Sequence, residues 1–271
     1  MKNNMNDKFP IRFFVVTILW SWLFFLPLIL NGYGIISINN DILPILTPII
    51  IIIGAFGPTI GVCYSLYTLN GKGAIKEYFK LFLSLKFGWK VWLSIFLILG
   101  IPAFLAWIIP EFFGQDRFAS YLPNPFLFPI YIIFCMFLGG GQEEIGWRGY
   151  IMPYLEKRYG IIISPFIFGI IWAIWHIPLW FIPGSTQVYM NFFGFTLLTI
   201  GYSYIFEWII KISGKRLLSG LLSHGTANAF SALFPFLIMD SNAIQIRFWI
   251  YCIFIFIIGI IIVVLRSYKK I

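Results

Sequence analysis

The chain has 271 residues, of which 60% are hydrophobic, 21% aromatic and only 11% charged. A soluble domain carries about 25% charged residues, so this chain has too few water-facing groups to cover a soluble globule, and its solvent must largely be lipid. The net charge of +9 does not indicate nucleic acid, because the basic residues sit in short segments between apolar runs rather than on one folded face, a pattern that fits topology-setting charge and anionic lipid.

Met1 to Arg12 is basic and precedes the first apolar run, Ile11–Leu30. That run is longer than a signal-peptide core and no small-x-small cleavage site follows, so it is expected to be kept as a first helix. Seven further runs follow at Ile42–Leu69, Val91–Ile109, Phe126–Tyr154, Ile161–Ile182, Asn191–Ile210, Leu217–Met239 and Phe248–Leu265. Each is long enough for a hydrocarbon core of about 30 Å. Backbone groups in lipid must be satisfied within each segment, and no alternating barrel pattern is present. The expected fold is therefore all-α: a polytopic membrane protein of about eight transmembrane helices, forming one membrane domain over 1–271.

Charge counting orients the spans. Only Arg117 and Arg247 fall in one set of loops and Arg148 lies inside a span, so sixteen of the nineteen basic residues collect on the other side. They are Lys2, Lys8 and Arg12; the five lysines from Lys72 to Lys90; Lys157 and Arg158; Lys211, Lys215 and Arg216; and Arg266, Lys269 and Lys270. By the positive-inside rule both termini are expected in the cytoplasm. Between the second and third spans, Ala74 to Leu85 sets Lys76 and Lys80 against Ile75, Tyr78, Phe79 and Phe82. This reads either as a basic amphipathic helix on the membrane surface or as a charged loop. No internal repeat of the kind found in transporters is visible. The three cysteines, Cys63, Cys135 and Cys252, lie far apart inside apolar runs and read as small buried hydrophobes.

Ionisable groups cost about 2.5–3.5 kcal/mol each at the centre of a membrane helix, so each one calls for a reason. Both histidines of the chain, His176 and His224, fall inside spans, as do Glu143, Glu144 and Glu207 of the ten acidic residues. In the fourth span, Glu144 and Arg148 are four apart and share a helical face, so they are expected to pair. Glu143 is turned about 100° away and is left for chemistry. The three glycines before them, Gly139 to Gly141, permit close approach of another helix. In the fifth span Trp172 lies one turn before His176 and could wall the imidazole, with Pro178 removing a backbone hydrogen bond just beyond. In the seventh, His224 and Asn228 are aligned and present two donors to one point, which suits a developing oxyanion; packing between helices is the plainer reading of the same pair. Glu207 precedes Lys211 by four and is expected to pair with it structurally.

The blocks Glu143-Glu144-Ile-Gly-Trp-Arg148, Trp172-Ala-Ile-Trp-His176 and His224-Gly-Thr-Ala-Asn228 resemble, in this order, a family of membrane proteases. It is the one that includes the CAAX prenyl endopeptidases and bacteriocin-immunity proteins (the CPBP, or Abi, family). The resemblance lies in about 126–235, and its one departure is Trp172 where phenylalanine is usual. It implies an intramembrane endopeptidase in which Glu143 and His176 activate a water, His224 and Asn228 stabilise the tetrahedral intermediate, and Glu144 and Arg148 hold the site. A carboxylate kept from bulk water suits that base role. No cofactor is implied; zinc on the two Glu and two His is the minority alternative, since no His-Glu-x-x-His pair is present. The implied partner is a membrane-associated peptide or protein, and the implied location is a prokaryotic cell membrane. The competing readings are a transporter or proton relay using the same carboxylates, and a non-catalytic immunity scaffold. Helical rise places His224 about 12 Å and His176 about 24 Å from the cytoplasmic helix ends, so the histidines meet only if helix tilts or ends differ.

Overall fold

The computed structural model describes residues 9–240 and 242–269, with side chains through residue 265. Lys2, Lys8 and Lys270 of the charge count, and the side chains of Arg266 and Lys269, lie outside that description. Among the described residues there is no strand, and six helical runs are long and apolar enough to cross a membrane: Ile11–Gly32, Leu43–Asn70, Trp89–Phe113, Pro125–Phe181, Phe192–Ile212 and Ile246–Leu265. The chain is an all-α, multi-pass membrane protein.

The first span is α1 (Ile11–Gly32). The second is divided at Phe56 into α2 (Leu43–Ala55) and α3 (Gly57–Asn70), with Pro58 in the first turn of α3. Proline is tolerated there because an N–H in the first turn has no intrahelical acceptor. The basic segment forms α4 (Lys72–Lys80), with Lys72, Lys76 and Lys80 exposed. Its apolar side rests on protein rather than lipid, because Tyr78 and Phe82 are buried and the Tyr78 hydroxyl donates to the Ile145 carbonyl. Helix α5 (Trp89–Ile108) completes the first half.

The expected fourth span is not one helix. After α6 (Phe128–Phe137) the chain leaves helical geometry at Leu138 to Gly140, where Gly140 has φ 113°. That conformation is open to glycine and strained for other residues. A 3₁₀ turn (Gly141–Glu143), a single α-turn, α7 (Glu144–Gly146), and a π-helical segment (Trp147–Ile151) follow, leading into α8 (Met152–Trp175). Gly160, at φ 76° and ψ 172°, breaks α8 into two arms, so the expected fourth and fifth spans share a single run of 57 residues from Pro125 to Phe181.

The remaining helices are α9 (Phe192–Ile212), α10 (Leu218–Leu233) and α11 (Ile246–Lys269). Helix α10 has 16 residues and so measures about 24 Å, short of the hydrocarbon thickness. It stops before the expected Met239 because Phe234 precedes Pro235, which disfavours the α conformation; Phe234 has φ −122° and ψ 78°. Helices α9 and α10 are the buried centre, with α8 and α11 against α9, and α5 and α6 against α10. Small residues make that proximity possible. A Cβ added to Gly225 would lie 2.7 Å from the Met136 backbone nitrogen, so α10 meets α6 almost backbone to backbone. This contact brings the third motif beside the first.

Candidate active site

The three motifs arrive on separate elements: Glu143 and Glu144 on the turn after α6, Trp172 and His176 at the end of α8, and His224 and Asn228 in α10. The irregular segment after α6 is pinned from several sides. The Asn228 amide donates to the Gly139 carbonyl at 2.7 Å, and Gly140 N–H donates to Gln142 Oε1 at 3.0 Å. The Thr59 hydroxyl donates to the Gln142 carbonyl at 2.7 Å, and Tyr78 holds the Ile145 carbonyl. Backbone groups that a regular helix would satisfy internally are thus satisfied by side chains of α3, α4 and α10, as buried polar groups require.

Glu144 is fully buried. Its Oε1 accepts from His224 Nδ1 at 2.8 Å, and its Oε2 lies 3.0 Å from an Arg148 guanidinium nitrogen. The Arg148 contact is an ion pair without hydrogen-bond alignment. The guanidinium carbon also lies 4.3 Å from the Phe168 ring centroid, 5.2 Å from that of Trp172 and 5.5 Å from that of Phe206. Ring faces attract a cation, more so out of water, so the buried charge is compensated by the adjacent Glu144 and three rings, with longer-range attraction from Glu207 and Glu143. The expected Glu144–Arg148 pair is present. The additional bond to His224, which joins the first motif to the third, could not be read from spacing.

Glu143 faces elsewhere, as the helical offset suggested. It is buried and accepts at Oε2 from the Trp172 indole N–H at 2.9 Å. The Trp172 carbonyl accepts from His176 Nδ1 at 2.8 Å. A carbonyl only accepts, so Nδ1 carries the proton and Nε2 of the neutral ring is left as the basic nitrogen. The expected walling of the imidazole is broader than foreseen: the Trp172 ring stands edge-on to His176 at 5.8 Å and to His224 at 5.2 Å between centroids. The different depths inferred from helical rise are reconciled here, because the end of α8 and the middle of α10 meet across this one indole.

His224 and Asn228 do converge. Gly140 lacks a side chain, and a Cβ built on it would lie 2.7 Å from both His224 Nε2 and Asn228 Nδ2. The two nitrogens therefore overlook a common spot beside the Gly140 backbone. One Asn228 N–H is already given to Gly139, leaving one for that spot, and His224 Nε2 donates there when the ring holds both protons.

Glu143, Trp172, His176, His224 and Asn228 all line one cavity of about 870 Å³, while Glu144 and Arg148 stand behind it. Most of the remaining wall is apolar, with α2 (Pro48, Ile51, Ile52) on one side and α6 (Tyr131, Phe134) on the other. Tyr202 of α9 also lines it, its hydroxyl 2.5 Å from that of Tyr251 in α11. Sequence reasoning missed Tyr202, since a tyrosine within an aromatic-rich helix gives no signal of its own. Glu207 lies outside the cavity lining, and Lys211 sits 3.7 Å from it but 2.5 Å from Glu156 of α8. The expected structural pair is thus part of a small network. Among the described residues, no three His, Cys, Asp or Glu side chains are grouped to hold a metal ion.

Residues 125–230 match the family model described as Type II CAAX prenyl endopeptidase Rce1-like. A curated relative, CAAX prenyl protease 2 of Methanococcus maripaludis, is 31% identical over 106 residues, covering 36% of this chain. The matched region spans 38% of that relative's length. Both matches fall on the segment that carries the three motifs, so the likeness to Rce1-like CAAX prenyl endopeptidases lies in residues 125–230.

Proposed function

We propose that this protein is an intramembrane endopeptidase that hydrolyses a membrane-associated peptide with a water activated by Glu143 and His176. One observation carries the reading: the only two histidines of the chain, an otherwise unneeded buried carboxylate and Asn228 line a single cavity with largely apolar walls. In a membrane protein such groups mark a site by default.

The chemistry follows from the donors and acceptors. Glu143, with His176 Nε2, removes a proton from a cavity water, and the resulting hydroxide attacks the scissile carbonyl carbon. The carbonyl oxygen becomes an oxyanion over Gly140, where His224 Nε2 and Asn228 Nδ2 donate to it. Collapse breaks the C–N bond, and the proton first taken from water passes to the departing amine. Glu144 and Arg148 keep the His224 ring turned toward the oxyanion position. No metal enters this scheme; a chelator that abolished cleavage, with zinc restoring it, would return the minority alternative.

The apolar walls from α2 and α6 suit a substrate that arrives from the bilayer with an apolar segment or lipid group. The relative's name, CAAX prenyl protease 2, makes a prenylated carboxyl-terminal peptide the first candidate and a bacterial peptide precursor the second. The charge asymmetry supports both termini in the cytoplasm, and the relative from Methanococcus maripaludis supports a prokaryotic membrane. The test of function is an unbiased comparison of membrane-associated peptides from cells carrying wild-type protein or Glu143→Ala. Cleavage products present only with wild type support the proposal, and identical peptide sets contradict it.

A further inference from the structure

We infer that Trp172 is a positioning residue of this site, its indole N–H orienting Glu143 while its backbone carbonyl orients His176. The inference rests on the hydrolytic reading above and adds to it the device that sets both proton-accepting groups at once.

The geometry is specific. The indole nitrogen lies 2.9 Å from Glu143 Oε2, and both side chains are 3% exposed, so water does not compete for the bond. With Oε2 engaged, Oε1 is the oxygen left to accept a proton. Four residues along the same helix, the His176 ring gives its Nδ1 proton to the Trp172 carbonyl at 2.8 Å, leaving Nε2 as the complementary acceptor. The indole itself is not free to turn. It stacks on Phe168 with ring centroids 6.0 Å apart and planes 22° apart, and the Arg148 guanidinium lies over it at 5.2 Å. Arg148 in turn is held by Glu144. The structural carboxylate therefore helps to fix the indole that fixes the reactive one. A phenylalanine at this position would keep the packing and the carbonyl but remove the donor, so the two contributions of Trp172 are separable by substitution.

The experiment measures kcat and KM on a prenylated carboxyl-terminal peptide, and melting temperature, of the whole 271-residue chain in liposomes for Trp172→Phe, Glu143→Asp and the double variant. Loss of a buried hydrogen bond to a charged group predicts kcat lower by about 10- to 100-fold for Trp172→Phe. KM stays within about twofold, because no contact with bound substrate is removed. Melting falls by only a few degrees, as for other lost buried hydrogen bonds, and the loss in kcat is much smaller in the Glu143→Asp background, since the two side chains act as a unit. A second replacement of Trp172, by 3-benzothienylalanine, keeps the shape of the indole and substitutes sulfur for N–H; it should reproduce the fall in kcat even if the phenylalanine variant folds poorly. Wild-type kcat in the benzothienyl variant, or a loss fully additive with Glu143→Asp, overturns the inference. These failures leave the hydrolytic reading standing if Glu143→Gln is inactive. An active Glu143→Gln removes the reading itself.

Discussion

Glu143 and Glu144 are neighbours in sequence and both buried, yet the structure predicts opposite consequences for the same isosteric change. In Glu144→Gln the carboxylate between Arg148, at 3.0 Å, and His224, at 2.8 Å, becomes neutral. Arg148 is 2% exposed, so its charge loses its nearest carboxylate, keeps only the longer-range attraction of Glu207 and Glu143, and cannot turn to water. Breaking a buried pair from one side costs about 3–5 kcal/mol. The rings of Phe168, Trp172 and Phe206 offset part of that, so about 3 kcal/mol is the working figure. At roughly 2–4 °C per kcal/mol for a chain of this size, melting falls by on the order of 10 °C. Glu143→Gln leaves an amide oxygen that still accepts from the Trp172 indole and removes no ion pair, so stability changes by less than about 1 kcal/mol. Thermal melting in one detergent, followed by intrinsic tryptophan fluorescence, compares the two variants directly. Equal melting temperatures, or a larger loss for Glu143→Gln, would refute this division between a structural and a chemical carboxylate.

Three other outcomes are expected. Gly140→Ala places a Cβ against His224 Nε2 and Asn228 Nδ2 at a residue with φ 113°; it should cost about 1–3 kcal/mol of backbone strain and obstruct the oxyanion position, and peptide cleavage should fall by about 100-fold or more. Tyr78→Phe removes the hydroxyl that α4 gives to the Ile145 carbonyl, so stability should drop by about 1–3 kcal/mol, read as earlier melting; an unchanged melting temperature would show that this contact contributes little. Single cysteines at Lys76 and Lys215 should react with a membrane-impermeant maleimide from the cytoplasmic side only, and one at Arg117 from the opposite side only; labelling of Lys76 and Arg117 from the same side would contradict the charge-based orientation.

How far the sequence could be read depended on whether a feature is local or tertiary. Apolar runs announce membrane helices because lipid forces backbone bonding within each segment. The scarcity of ionisable groups inside those runs marks Glu143, Glu144, His176 and His224 from the sequence alone. The Glu144–Arg148 pair also follows from spacing, although the backbone there is an α-turn and a π-helical segment rather than the regular helix assumed. Its irregularity depends on Thr59, Tyr78 and Asn228, which lie far away in sequence, so local pattern carries no trace of it beyond the three glycines. The direction of the Trp172 indole was unreadable for the same reason: a residue's place on a helix gives its face, but its partner depends on what packs opposite. The early end of α10 was legible in principle from Pro235.

Cleavage of a defined membrane-associated peptide by purified protein in liposomes, with wild type and Glu143→Gln at equal, verified folding, isolates the role of Glu143. Wild type should yield products and the variant a rate lower by about 10²–10⁴-fold, the range expected on removing a general base. Equal rates from the two proteins would contradict that role.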